Sequence, residues 1–174
     1  MPEIALTEAP DFGQAFKRSL HDFIVLITGL DKKNVRPNYQ FEPPLFGDFE
    51  EWCSFSTPKS DLDSNFFERV DDKGNYESRE QEELTVRISF YGPNSKKTAR
   101  IFTAGLKRPD YWTDFFNATG CRLLRLETVE GAPDMIDGHW VAHSDVSCTF
   151  RRETVWKYSG ISEVSEFSIS TEEG

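Results

Sequence analysis

The chain has 174 residues, with 30 acidic and 20 basic side chains and a formal net charge of −10. This length suits one domain, and 15 phenylalanines and 4 tryptophans supply apolar surface for a core. Because the acidic balance repels nucleic-acid phosphates, we do not expect specific nucleic-acid binding. The N-terminus lacks a signal-peptide pattern, and the longest apolar run, residues 23–27, is too short to cross a bilayer, so no membrane partner is expected.

The first predicted element is an amphipathic helix from about Glu8 to Thr28. Gly29 supplies the left-handed position that ends a helix, and prolines follow in residues 34–49. We predict an ordered extended loop for that proline-rich stretch. The helix prediction rests on apolar residues that recur at three- and four-residue steps, namely Phe12, Ala15, Phe16, Leu20, Phe23, Ile24 and Ile27.

Short aromatic runs then predict strands at Glu50–Thr57 and Asn65–Val70, with a turn at residues 58–61 between them. Residues 71–75 read as a hairpin turn. The clearest strand is Glu83–Tyr91, because apolar and polar residues alternate strictly along it.

Two further helices follow that strand. One begins at Asn94 or Ser95 and directs Ala99, Phe102 and Leu106 inward. The second extends from about Pro109 to Gly120 and carries the aromatic residues Tyr111, Trp112, Phe115 and Phe116.

The last predicted strands are Arg122–Thr128, with Leu124 and Leu126 on one face, and a long strand after a loop that contains Gly131 and Gly138. Residues of the long strand that share a face are Trp140, Ala142, Val146, Cys148 and Phe150. Helices and strands are segregated along the chain, which predicts an α+β fold. We expect a mostly antiparallel sheet, with the long N-terminal helix and the two further helices packed on one face.

We divide the chain into a single α+β domain at residues 1–158 and an extended C-terminal arm at residues 159–174. The arm is rich in serine and glutamate, and Phe167 and Ile169 alternate with serines within it. It is either a plain tail or an arm that adds a strand to a neighbouring subunit through main-chain hydrogen bonds.

His139 and His143 are the first candidates for a metal site, because they are four residues apart. Their neighbours alternate as in a strand, so four residues separate the rings by about 13 Å, too far to share one ion. No metal site is therefore expected. Asp145 lies on the same face but does not complete a set of ligands.

The acidic residues Glu82, Glu83, Asp71 and Asp72 fall in charge-rich stretches that we interpret as solvated surface rather than an acid–base pair. The sequence contains neither a serine-nucleophile motif nor a glycine-rich phosphate loop. We expect no catalytic residue and no cofactor. An enzyme of unrecognised type is the alternative, and it would require a pocket with perturbed carboxylates or histidines.

Basic residues lie beside the aromatic helix, and they are Lys96, Lys97, Arg100, Lys107 and Arg108. Aromatic rings on a basic surface can stack on nucleic-acid bases. Given the net charge of the whole chain, we interpret the rings as core residues and the basic residues as a surface for an acidic partner subunit.

Four short stretches occur in a characteristic order. They are Ile27–Leu30 with Val35–Pro37, then Pro43–Pro44 with the Trp52 region, then Val86–Asn94, and finally Gly138–Val141 leading to Asp145. Together they resemble the phage neck terminator proteins, which are related in plan to the tail-terminator and minor tail proteins of tailed phages. The resemblance covers roughly residues 23–158. That family has a basic pair near its last strand. Here His143-Ser144-Asp145 departs from the pattern, whereas Arg151-Arg152 remains.

The resemblance implies a structural virion protein that is assembled in the bacterial cytoplasm and is not an enzyme. It implies a closed ring, a hexamer, that caps the tail tube and joins it to the head connector, with the genome passing through. The expected partners are other copies of the chain, the tail tube protein and the neck proteins. A head-completion or tail adaptor protein of the same virion is the alternative. For subunit contacts we single out Arg36 and Tyr39 in the proline-rich loop, and Phe167 and Ile169 in the arm.

Overall fold

The computed structural model describes residues 6–8, 13–38, 46–47, 49–72, 75–127, 130–136 and 138–158. The α-helices are α1 (Gln14–Thr28), α2 (Ser95–Gly105) and α3 (Trp112–Thr119), and short 3-10 helices lie at Lys32–Asn34 and Pro109–Tyr111. The strands are β1 (Leu6–Glu8), β2 (Val35–Pro37), β3 (Trp52–Val70), β4 (Tyr76–Tyr91), β5 (Arg122–Leu126), β6 (Glu130–Ile136) and β7 (His139–Tyr158).

The strands form one sheet in the order β1-β7-β4-β3-β2. Strands β5 and β6 also pair with β7, so β6, β5 and β1 lie end to end along one side of it. All these pairs are antiparallel except β2–β3, which is parallel. The α+β class is confirmed, and the sheet is mixed, with antiparallel pairs predominating among the described strands.

The core lies on one face of the sheet, where apolar residues of β4 and β7 are register partners. Leu84 is opposite Phe150, and Val86 is opposite Cys148. The three helices supply the other wall, and α1 buries most of the face that its periodicity predicted, although Ala15 is exposed and Phe12 lies outside the described residues. Buried helical residues include Phe16, Leu20, Phe23, Ile24 and Ile27 of α1, Ala99 and Phe102 of α2, and Phe115 of α3.

Two predictions for the N-terminal half are wrong. Glu8 lies in β1 and α1 begins at Gln14, so the helix is shorter than expected. Strand β3 is continuous, with no turn at residues 58–61, because irregular pairing between Ser56 and Lys59 keeps the chain extended. The predicted extended loop at residues 34–49 contains β2, which pairs with β3.

Strand β4 begins at Tyr76, well before the predicted Glu83. In the C-terminal half, residues 130–136 form β6 rather than a loop. Leu124 and Leu126 do not share a face, because the register shifts between Leu123 and Arg125. Leu123 and Leu126 therefore pack against the core, while Leu124 is exposed. The division into residues 1–158 and 159–174 stays a prediction, since the second segment lies outside the described residues.

Candidate assembly surfaces

The longest strands extend beyond the core at both ends. Strand β7 has 20 residues, which at about 3.3 Å each correspond to a length on the order of 60 Å. Its buried residues lie between Ser144 and Thr154, in the middle of the strand. Two separate ends of the sheet therefore present side chains to solvent.

The first end, here called the hairpin end, is formed by residues 66–70 of β3 with residues 76–80 of β4. Phe66 and Phe67 are 59% and 62% exposed. Successive residues of a strand point to opposite faces, so both faces of the hairpin end carry an exposed phenyl ring. Leu62 and Val70 are exposed as well. Exposed apolar groups that lie close together are typical of protein interaction sites.

The second end, here called the Trp140 end, is the hairpin of β6 and β7. Met135 and Trp140 are register partners and are 54% and 69% exposed. Trp140 shares a strand face with Val146 and Cys148, as predicted, but it lies outside the buried part of β7. The two apolar ends differ in sequence and lie at opposite ends of the same strand.

A buried ion pair lies between the ends. Arg152 donates from Nε to Oε2 of Glu82 at 2.7 Å, and Ser60 donates its hydroxyl to the same carboxylate. The guanidinium also lies 5.5 Å from the centre of the Phe16 ring. The interpretation of Glu82 as solvated surface is wrong, because its side chain is fully buried. Glu83, the next residue, is partly exposed and pairs with Arg151 at 3.3 Å.

A row of stacked rings crosses the sheet on the face opposite the core. Trp52 stacks on Phe46 at 4.7 Å and on Tyr91 at 4.0 Å between ring centres. His143 continues the row at 5.6 Å from Tyr91. Burial raises the pKa of the Tyr91 hydroxyl. The row joins β3, β4 and β7, and sequence reasoning missed it because its members are far apart in the chain.

Of the four residues predicted to make subunit contacts, the structure describes Arg36. Arg36 lies in β2, is half-buried, and donates from Nε to the carbonyl of Lys33. Tyr39, Phe167 and Ile169 lie outside the described residues. Their role in subunit contacts therefore stays a prediction, as does that of Arg36.

Three of the four predicted core rings of the aromatic helix, Tyr111, Trp112 and Phe115, lie in the core or pack against it, whereas Phe116 does not. Phe115 is buried and stacks on Phe23 at 4.3 Å between ring centres. Trp112 donates from Nε1 to the carbonyl of Leu106. The neighbouring basic residues are exposed, and within the described part of the chain only Arg108 of this group has a carboxylate partner, Asp110. Lys107 remains available for a partner with negative charge.

Three buried cysteines lie in or beside the core. Burial raises the pKa of the Cys148 thiol to about 12 and also raises those of Cys53 and Cys121. These thiols stay protonated near neutral pH, so they are poor nucleophiles.

His143 is largely buried beside Asp145, and their nearest side-chain atoms are 3.7 Å apart. Across the described ranges, no three His, Cys, Asp or Glu side chains are arranged to hold a metal ion. None of the described helices is both long and apolar enough to span a membrane.

An α+β domain whose longest strands project beyond its core offers large surfaces for protein contacts. The sequence profile described as phage neck terminator protein matches residues 14–174, and the chain belongs to this family. The protein is thus a structural component of the phage neck and of the virion, as the ordered motifs indicated. A comparison with curated proteins found no match.

Proposed function

We propose that this chain is one subunit of a closed hexameric ring at the head–tail junction, where it caps the tail tube and joins it to the head connector. Membership of the neck terminator family supports the location. The observation that best supports the ring is the pair of apolar ends on one long strand. A ring of identical subunits needs two different surfaces that fit each other, and the hairpin end and the Trp140 end differ in this way.

In the proposed ring, the hairpin end of each subunit packs against the Trp140 end of the next. Phe66, Phe67, Met135 and Trp140 are the exposed residues that this contact buries. Aromatic residues with methionine are enriched in protein interfaces, because they bury much apolar area with few rotatable bonds. The net charge of −10 suits a ring through which the genome passes, since like charges prevent DNA from adhering to it.

Two variants test the head-to-tail arrangement. Phe67→Asp damages only the hairpin end, and Trp140→Asp damages only the Trp140 end. Each variant alone should be a monomer by light scattering. A mixture of the two should form dimers and nothing larger, because each dimer uses the one intact pair of ends.

The matched control is Leu26→Gln, which changes an exposed apolar residue on α1, away from both ends. This variant should assemble like the unmodified chain. If the Phe67→Asp and Trp140→Asp variants assemble as well as the control does, the two ends are not the assembly surfaces.

A further inference from the structure

A groove lies between α3 and the outer edge of β5. Trp112, Phe116 and Leu123 line its floor, and Lys107, Asn117 and Arg122 lie at its rim. We call it the β5 groove, and its volume is about 480 Å³. This space is large enough for an aromatic side chain together with an aliphatic one.

The edge of β5 beside this groove is available for pairing. Strand β5 pairs with β7 on one side, and no other described strand pairs with its outer side. Unpaired backbone N–H and C=O groups on a strand edge are a template for an added strand. An extended segment could therefore bind here through main-chain hydrogen bonds, with alternate side chains entering the groove.

The charge of the groove selects an acidic occupant. Lys107 and Arg122 have no carboxylate partner among the described residues, and the Arg122 guanidinium lies 4.7 Å from the centre of the Phe116 ring. A second groove, between α1 and α3, is lined by Asp22 and Asp114 with one lysine, Lys32. That groove offers no strand edge and would repel an acidic segment.

We infer that the β5 groove binds the C-terminal arm, residues 159–174, of a neighbouring copy of this chain. The inference rests on the proposed ring. The arm contains four glutamates and neither lysine nor arginine, so its charge complements the rim of the groove. Phe167 and Ile169 are two residues apart, and in a strand they point to the same side. Both can then enter the apolar floor.

The arm is long enough to reach the β5 groove of a neighbouring copy. The arm follows Tyr158, which lies at the hairpin end opposite Tyr76. In the ring, that end contacts the Trp140 end of the next subunit. There β5 begins to pair at Cys148, eight positions beyond Trp140, or about 26 Å along the strand. The groove residue Leu123 pairs with Phe150, two positions further, so ten residues of arm bring Ile169 to the groove, with Phe167 two residues before it.

The direction of the arm also favours a neighbouring copy. An arm that enters from the Trp140 end runs antiparallel to β5, the more stable arrangement per residue. An arm that folds back on its own subunit would run parallel to β5.

Cross-linking of the full-length chain tests the inference. One preparation carries Thr171→Cys in the arm, two residues beyond Ile169, so that in an extended arm it would point to the same side as Phe167 and Ile169. The second carries Asn117→Cys at the groove rim. The two are mixed and treated with a short bismaleimide. We expect a covalent heterodimer on a denaturing gel, while the unmodified chain, whose three cysteines are buried, gives none.

The matched control is Ala118→Cys, which lies next to Asn117 on α3 but lines the other groove. A heterodimer yield with Ala118→Cys equal to that with Asn117→Cys would overturn the inference, as would the absence of any heterodimer. A chain carrying both Thr171→Cys and Asn117→Cys that cross-links only within itself would show that each arm folds back on its own subunit, which would also overturn it.

Charge reversal at Lys107 and Arg122, both changed to Glu, should lower the heterodimer yield roughly fivefold, as expected for the loss of surface ion pairs. The same reversal at Lys96 and Lys97, which do not line the groove, should leave the yield unchanged. Equal losses in the two double variants would contradict binding in the β5 groove.

Imaging of the same samples separates the two proposals. If rings form but the Asn117 cross-link does not, the ring proposal is supported and the arm contact is rejected. Cross-linked heterodimers without rings would support the arm contact and reject the ring.

Discussion

Arg152 donates a hydrogen bond to Glu82 across the β4–β7 pair at 2.7 Å, and the two side chains are 6% and 0% exposed. Two charges removed from water in this way depend strongly on each other, because the loss of either one would leave the other buried without this ion pair. The pair lies where the core gives way to the projecting hairpin end. It therefore joins the two strands on which the proposed assembly surface depends.

Replacement of Glu82 by Gln leaves the Arg152 guanidinium charged and buried. We expect the free energy of unfolding to fall by about 3–5 kcal/mol, measured by urea denaturation. The control is Glu83→Gln, whose partner Arg151 is exposed to solvent, and its cost should stay below about 1 kcal/mol. Equal losses in the two variants would show that burial adds nothing to the Glu82 pair.

Gly92 joins β4 to α2 at a φ of 106°, a backbone conformation that side chains disfavour. A Cβ at this position would lie 2.7 Å from the carbonyl oxygen of Glu50. Gly92→Ala should therefore lower the free energy of unfolding by on the order of 1–3 kcal/mol. Gly47→Ala is the control, because a Cβ there meets nothing within 4 Å. The prediction fails if both variants have the stability of the unmodified chain.

The stacked row of rings predicts a graded response at Tyr91. Tyr91→Phe keeps the ring that stacks on Trp52, whereas Tyr91→Leu removes it. The leucine variant should be less stable than the phenylalanine variant by about 0.5–1.5 kcal/mol beyond the effect of lost area. Thermal unfolding of both variants measures the difference. Equal stabilities would mean that the stacking itself contributes nothing.

The buried thiols predict a dependence of stability on alkaline pH. The pKa of Cys148 is raised to about 12 in the folded chain from an ordinary value of 9.0, so the unfolded chain loses this proton first. The contribution of Cys148 to the free energy of unfolding is complete below pH 9.0 and declines as the pH rises towards 12. Urea denaturation between pH 8 and 10 should show a shallower decline for Cys148→Ala than for the unmodified chain. Parallel declines would contradict the prediction.

Much of the fold could be predicted, because the spacing of apolar residues in the sequence matches the positions that are buried in the structure. The alternation of Leu84, Val86, Ile88 and Phe90 identified the core face of β4, and the three-to-four periodicity identified the buried face of α1. Glu82 lies one step earlier on the same face as Leu84. The alternation could have identified it as buried, but its charge suggested solvent instead.

Other features depend on pairing between distant segments. Strand β6 contains Gly131 and Pro133, residues typical of a loop, yet it is extended because β7 offers a partner edge. Likewise, β3 passes through Pro58 without turning, since irregular pairing accommodates the proline. The β5 groove combines residues from α3 and β5 that only the folded chain brings together.

The most direct test of the proposed ring is the mass of the unmodified full-length chain in solution, measured by light scattering over a range of concentrations, with negative-stain images of the largest species. Closed rings of six subunits should form as the concentration rises. A species that remains monomeric at every concentration, or a dimer that grows no further, would contradict it.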